Sequence, residues 1–177
     1  YSFGKTNGME SSSSEFHKYQ TSFSSESLMP RPVTPALAAD TIIELIDYPG
    51  RPIVLIERAN PPYGWAIPGG FVDDGERVET AAVREALEEV SLNVKLIALL
   101  GIYSDPNRDH RGHTITACYV AEASGVPIAA DDAKNCQIFN LDGLPEPLAF
   151  DHAEVLLHYI AFRETGQVTP LPDNRVK

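Results

Sequence analysis

Glu85, Glu88 and Glu89 define the chemistry open to this sequence. If the segment around them is helical, at about 100° per residue, all three carboxylates fall within an arc of about 100°. Carboxylates placed this way can hold a hard divalent cation such as Mg²⁺ through oxygen ligands. As a bare surface the arrangement is awkward. Glu85 and Glu89 form a like-charge i,i+4 pair, which destabilises a helix by roughly 0.2–0.5 kcal/mol. Glu88 and Glu89 also lie toward the helix C-terminus, where the dipole disfavours anions. Arg84 offsets part of this through an i,i+4 contact with Glu88. Helix geometry alone leaves two readings open, a cation site and an ordinary solvated face, and the solvated face is the commoner of the two.

The carboxylates need a helix and a core behind it. Residues 76–90 read as that helix. Val83, Ala86, Leu87 and Val90 fall on the arc opposite the acids, so this apolar stripe is expected to pack on the core with the acids facing away. Strands are expected at 36–46 and 53–56, joined as a hairpin through Tyr48-Pro49-Gly50. A short strand at 65–67 is expected to stop at Pro68-Gly69-Gly70. Further strands are expected at 94–103, 114–121 and 137–141. A second helix spans 151–164, with Asp151 as N-cap and Gly166 as its stop. Strands before, between and after two helices imply a mixed sheet covered on both faces.

Composition limits the function classes. The chain has 177 residues, 43% of them hydrophobic, which is enough for one domain with a proper core. Its net charge of −11 and lack of a basic tract argue against a nucleic acid or an anionic membrane as partner. Seven of the acids lie between Gly70 and Leu92 against only Arg77 and Arg84, a local net of −5. The two cysteines are too few for a disulfide scaffold, and no Cys/His cluster suggests zinc. No apolar run approaches membrane-spanning length, and no hydrophobic signal opens the chain, so a cytoplasmic protein is expected. Residues 1–35 read as a serine-rich arm or tag ending in a proline hinge, and 36–177 as the folded domain. Met29 is a plausible natural start.

The spacing Gly70-x5-Glu76-x7-Arg84-Glu85-Ala86-x-Glu88-Glu89-x-Ser91-Leu92 resembles the Nudix box, G-x5-E-x7-R-E-U-x-E-E-x-G-U with U aliphatic. Every charged position matches. Ala86 is a small first U, and Ser91 stands where the box has its last glycine. The preceding Trp65-Ala66-Ile67-Pro68-Gly69-Gly70 also resembles the family's approach to the box. The resemblance covers about 36–166 and implies a Nudix-like α/β/α sandwich with a mixed β-sheet. It implies a domain that binds Mg²⁺ or Mn²⁺ and hydrolyses a nucleoside diphosphate linked to another group. Carried over by position, Glu85, Glu88, Glu89 and the Gly69 carbonyl are the expected metal ligands. Glu76 and Arg84 are expected to brace the site as an ion pair. The water's proton must go to a carboxylate, either Glu85 or Glu89 or, as in some relatives, an acid on a later loop. Asp131 and Asp132 occupy such a stretch, where a polar turn is the simpler reading.

The segment 103–113 is similar to the S-D-P-x-R-D-x-R-G-H loop of ADP-ribose pyrophosphatase-like Nudix proteins, with Pro106 near that subgroup's marker proline. ADP-ribose, cleaved to AMP and ribose 5-phosphate, is therefore the expected substrate. Arg58, Arg108 and Arg111 are candidate phosphate or ribose contacts, since guanidinium forks suit phosphate. Trp65 or Tyr103 could stack on a base, although a core or rim role is the commoner fate of such aromatics. Asp151-His152 also resembles the subgroup. The alternatives are another nucleotide (an oxidised nucleoside triphosphate, a dinucleoside polyphosphate or NADH) and a non-catalytic ADP-ribose sensor. A homodimer is expected by likeness to related hydrolases.

Overall fold

The computed structural model describes residues 33–130 and 133–168. The chain divides into units 1–34 and 35–177, and the second is described here. Its elements run β1 (Ala36–Leu45), β2 (Ile53–Arg58), β3 (Trp65–Ala66), β4 (Gly69–Phe71), α1 (Val78–Val90), β5 (Lys95–Tyr103), β6 (Thr114–Ala123), β7 (Ala133–Phe139) and α2 (His152–Thr165). The strands form one mixed sheet with β3-β2-β1-β6-β5 in sequence across it. β1 is its axis. It pairs in parallel with β6 from Ala36↔Thr114 to Leu45↔Ala123. Its other edge is shared, by β4 at Ala38↔Phe71 to Asp40↔Gly69 and by β2 at Glu44↔Ile53. β7 pairs antiparallel with β2, and β5 with β6. The mixed sheet with flanking helices is the expected fold class. No described helix is long and apolar enough to cross a membrane.

Three local expectations need correction. Residues 69–71 continue as a strand instead of ending one. β7 begins at Ala133, four residues ahead of the expected 137. The first helix starts at Val78 with Arg77 at the cap position. Its end follows the box even without the glycine: Ser91 adopts a left-handed φ of 56° and its N–H donates to the Leu87 carbonyl at 3.0 Å. Gly166 closes α2 in the same way, with φ 71°.

The face of α1 is also rotated from the expected one. Ala81, Ala82, Ala86 and Val90 are buried, whereas Val83 is 36% and Leu87 47% exposed. The reason lies in the opposing surface. Ala39 and Ala117, together with Tyr119, cluster with Ala81 and Ala82, so alanines of the sheet meet alanines of the helix. Alanine against alanine lets the helix lie close to the sheet, and the Thr41 hydroxyl donates to the Ala82 carbonyl at 3.1 Å within that interface. Glu85 and Glu89, one turn apart, thereby border the packed face instead of pointing away from it.

Candidate active site

The close approach of α1 brings its acids onto β4. A Cβ on Gly70 would lie 2.5 Å from the Glu85 carboxylate, so only glycine leaves room for that side chain. A Cβ on Gly69 would lie 2.4 Å from the Ala39 carbonyl and from Asp40 Oδ1. The Gly69 N–H donates to Glu89 Oε2 at 2.8 Å. The glycines that suggest a turn in the sequence therefore serve close contacts, Gly70 with the helix and Gly69 with β1.

A cavity of about 300 Å³ opens at this contact. Among its lining residues are Gly69, Glu85 and Glu89 from the box, together with Arg58, Arg108 and Arg111. The expected acidic and basic halves of the site thus share one space, although the arginines alone come from positions as far apart as 58 and 111. Burial pushes the Glu89 carboxyl up to about 8, with the neighbouring charges of Glu85 and Asp40 adding to the shift and the Gly69 N–H opposing it. Glu85 is also raised, mainly by burial, against the pull of Arg84.

Arg84 holds the acids in place from outside the cavity. Nε and Nη2 grip Glu76 Oε1 and Oε2 at 3.0 and 2.9 Å. Nη1 donates to Glu85 Oε1 at 2.7 Å and Glu88 Oε2 at 2.9 Å, and Nη2 also donates to the Phe71 carbonyl at 3.0 Å. All five N–H donors of the guanidinium are used. Glu88 is 46% exposed and does not line the cavity. Among the described residues no three His, Cys, Asp or Glu side chains already converge as a ligand set. Glu85, Glu89 and Asp40 nevertheless all line the cavity, as does Asp109, and hard carboxylate oxygens of this kind fit a divalent cation.

Asp40 went unnoticed in the sequence. It is 7% exposed, on β1. The available signal was an acid amid the apolar residues of that strand, which carries Glu44 as well, because a buried carboxylate needs a partner or a task. Its Oδ2 lies 3.6 Å from His152 Nε2. His152, at the start of α2, accepts the Ile67 N–H on Nδ1 at 3.0 Å, which fixes the ring against the cavity.

The loop between β5 and β6 is exposed except at two charged residues. Arg108 and Asp109 are buried within it. Arg108 donates through Nε and Nη2 to both oxygens of Asp151, at 2.8 and 2.7 Å, and through Nη1 to Thr116 Oγ1 at 2.8 Å. Asp151 does occupy the N-cap position of α2, but its side chain makes no cap hydrogen bond and serves Arg108 instead. Arg108 is therefore committed to the fold even though it reaches the cavity wall. Removing its partner in Asp151→Ala leaves a buried guanidinium uncompensated, and should destabilise the protein by about 3–5 kcal/mol in urea denaturation. Arg111 pairs with Asp109, Nη2 to Oδ2 at 2.8 Å, but is 44% exposed. Arg58 donates Nε to the Pro62 carbonyl at 2.8 Å and has no carboxylate within 4.0 Å among the described residues.

Other expected residues lie elsewhere. Pro106 is exposed in the turn that opens the loop. Trp65 packs edge-on against Phe139 at 4.9 Å, and Tyr103 stacks on His158 at 5.8 Å, so neither lines the cavity. The aromatics that do are Phe71 and Phe150. Asp131 and Asp132 lie outside the described residues.

The NUDIX domain model matches residues 35–159. The chain belongs to the NUDIX family. Among its relatives, an ADP-ribose pyrophosphatase of Methanocaldococcus jannaschii is 45% identical over 132 residues, covering 73% of this chain and 75% of that protein. A MutT/nudix family protein from Enterococcus faecalis superposes with a TM-score of 0.68 at 27% identity, over 88% of this chain and 71% of that one. The NUDIX domain of Shewanella oneidensis NrtR, solved in complex with ADP-ribose, has a TM-score of 0.65 at 26% identity, over 76% and 91%. The box glutamates of this NUDIX domain therefore sit in the fold that the resemblance implied. Family membership makes the chain a NUDIX pyrophosphohydrolase, a class that generally needs divalent metal ions.

Proposed function

We propose that this NUDIX domain, within residues 36–177, hydrolyses ADP-ribose to AMP and ribose 5-phosphate with Mg²⁺ or Mn²⁺. One observation carries the reading: Arg58 and the loop arginines share a cavity with Glu85 and Glu89. The likeness to the M. jannaschii pyrophosphatase and to the ADP-ribose-bound NrtR domain supports the same substrate.

Glu85, Glu89 and the Gly69 carbonyl would hold the cation, with Asp40 beside them; Glu88, outside the cavity on Arg84, would join only by turning from that pair. When bound, the cation screens these carboxylates from the pyrophosphate and polarises a phosphoryl oxygen. Arg58, with no carboxylate pairing it among the described residues, and Arg111 offer their guanidiniums to the remaining phosphate oxygens. Glu85 or Glu89 takes the proton of the attacking water. Glu76 and Arg84 keep the helix acids in register with β4. Arg108 and Pro106 shape the loop that carries Arg111. Likeness to related hydrolases supports a homodimer, and the two free cysteines suit a reducing cytoplasm.

A substrate panel with product identification tests the reading. ADP-ribose incubated with Mg²⁺ should yield AMP and ribose 5-phosphate. Cleavage of an oxidised nucleoside triphosphate, a dinucleoside polyphosphate or NADH in preference to ADP-ribose would overturn the substrate. Tight binding of ADP-ribose with no turnover would make the domain a sensor.

A further inference from the structure

Phe150 lies on the cavity wall with a φ of 56°. A bulky side chain rarely adopts this left-handed conformation, and such residues persist only where their surroundings impose it. Here the surroundings do so from both sides. The Ala149 N–H donates to the Trp65 carbonyl at 2.8 Å. On the other side, Asp151 is clamped by Arg108 and His152 by the Ile67 N–H. The chain delivers the ring to one place. There it meets two cations, with the Cζ of Arg58 4.8 Å and that of Arg111 5.3 Å from the ring centroid.

Two guanidiniums in one partly buried cavity repel each other. Burial, and after it the charge of Arg111, hold the Arg58 guanidinium below its ordinary pKa. A second carboxylate could relieve the repulsion, but it would cancel the charge and occupy the N–H donors that a phosphate requires. An aromatic face attracts cations through its quadrupole and takes none of the donors that Arg58 and Arg111 keep beyond those given to Pro62 and Asp109.

We propose that Phe150 is a positioning residue whose ring holds Arg58 and Arg111 together as a paired seat for the pyrophosphate of the substrate. The choice of ADP-ribose as that substrate rests on the function proposed above; the pairing of the arginines does not.

Phe150→Leu keeps apolar bulk and loses the ring face, whereas Phe150→Tyr keeps the face. For ADP-ribose, KM should rise about tenfold in the leucine variant while kcat changes less than about twofold, and the tyrosine variant should stay within about twofold of the parent in both. A second readout needs no turnover. In the free protein, the Nε–Hε resonances of Arg58 and Arg111 should carry a ring-current shift, lost in Phe150→Leu and kept in Phe150→Tyr. An unchanged KM in the leucine variant overturns the inference, as does equal impairment of both variants, which would mean that the ring acts by packing alone. If ADP-ribose is not cleaved by the parent, the substrate reading fails while the resonances still decide: absence of the shift in the parent overturns the positioning role, and its loss only in the leucine variant supports it.

Discussion

Glu89→Gln will abolish divalent-cation-dependent hydrolysis and, in the cation-free protein, raise stability at alkaline pH. The first effect follows from removing a ligand charge. Turnover of ADP-ribose should fall by more than about a hundredfold, beyond the range typical of outer-sphere supports. The second follows from burial. The Glu89 carboxyl is pushed up to about 8 in the folded protein, so the fold favours its neutral form. An acid raised in this way binds more protons folded than unfolded, and stability therefore falls as pH rises. The contribution is fully present below the ordinary carboxylate range, near 4.5, and is lost as pH passes through about 8. Glutamine is neutral throughout and its carbonyl can still accept the Gly69 N–H. Above pH 8 in EDTA the variant should be the more stable protein by an amount on the order of a few kcal/mol. Below pH 4.5 the two should melt alike. Mg²⁺ should raise the melting temperature of the parent at pH 8 and leave the variant unmoved, because ligand binding stabilises only the state that binds. Parallel melting curves from pH 4.5 to 8.5 would refute the burial argument, and a variant that still turns over would refute the ligand assignment.

The same glutamate shows what could be read from the sequence and what could not. The spacing Glu85, Glu88, Glu89 is local, because i, i+3 and i+4 share a helix face whatever surrounds the helix. The box was legible for that reason, and the mixed sheet followed from the alternation of strands and helices. The orientation of the face was not legible. Hydrophobicity pointed to Val83 and Leu87, yet the helix packs through Ala81 and Ala82, which Ala39 and Ala117 oppose, and through Ala86 and Val90, which join Ile43 and Leu45. That match of volumes lies between strands and helix distant in the chain. It also decides β4, where Gly70 admits Glu85 and Gly69 admits the backbone and Asp40 of β1, and neither is a turn. Arg108 was found, but its role depends on Asp151, 43 residues away. Phe150 carried no local signal, since its left-handed backbone is imposed by anchors at Trp65, Arg108 and Ile67. Asp40 was the one miss that a sequence argument could have avoided.

Arg84→Lys separates charge from geometry in the brace. Lysine keeps the positive charge, so a role limited to neutralising the acids would survive. The guanidinium does more than neutralise. It reaches Glu76 in the loop before α1, Glu85 and Glu88 on the helix, and the Phe71 carbonyl on β4, from three nitrogens in one plane. A single ammonium has three donors on one atom and cannot span those acceptors. In the variant the Phe71 carbonyl and at least one carboxylate lose their partner, and Glu85 is free to leave its place over Gly70. The expected result is a fall of about 10–100-fold in kcat/KM with a matching loss of cation affinity, the range seen when outer-sphere supports of a metal site are removed. Titration with Mn²⁺, followed by its paramagnetic signal, measures the affinity apart from turnover. Activity near that of the parent would reduce Arg84 to a point charge. Loss of both activity and Mn²⁺ affinity would establish that its planar fork ties loop, helix and strand into one site.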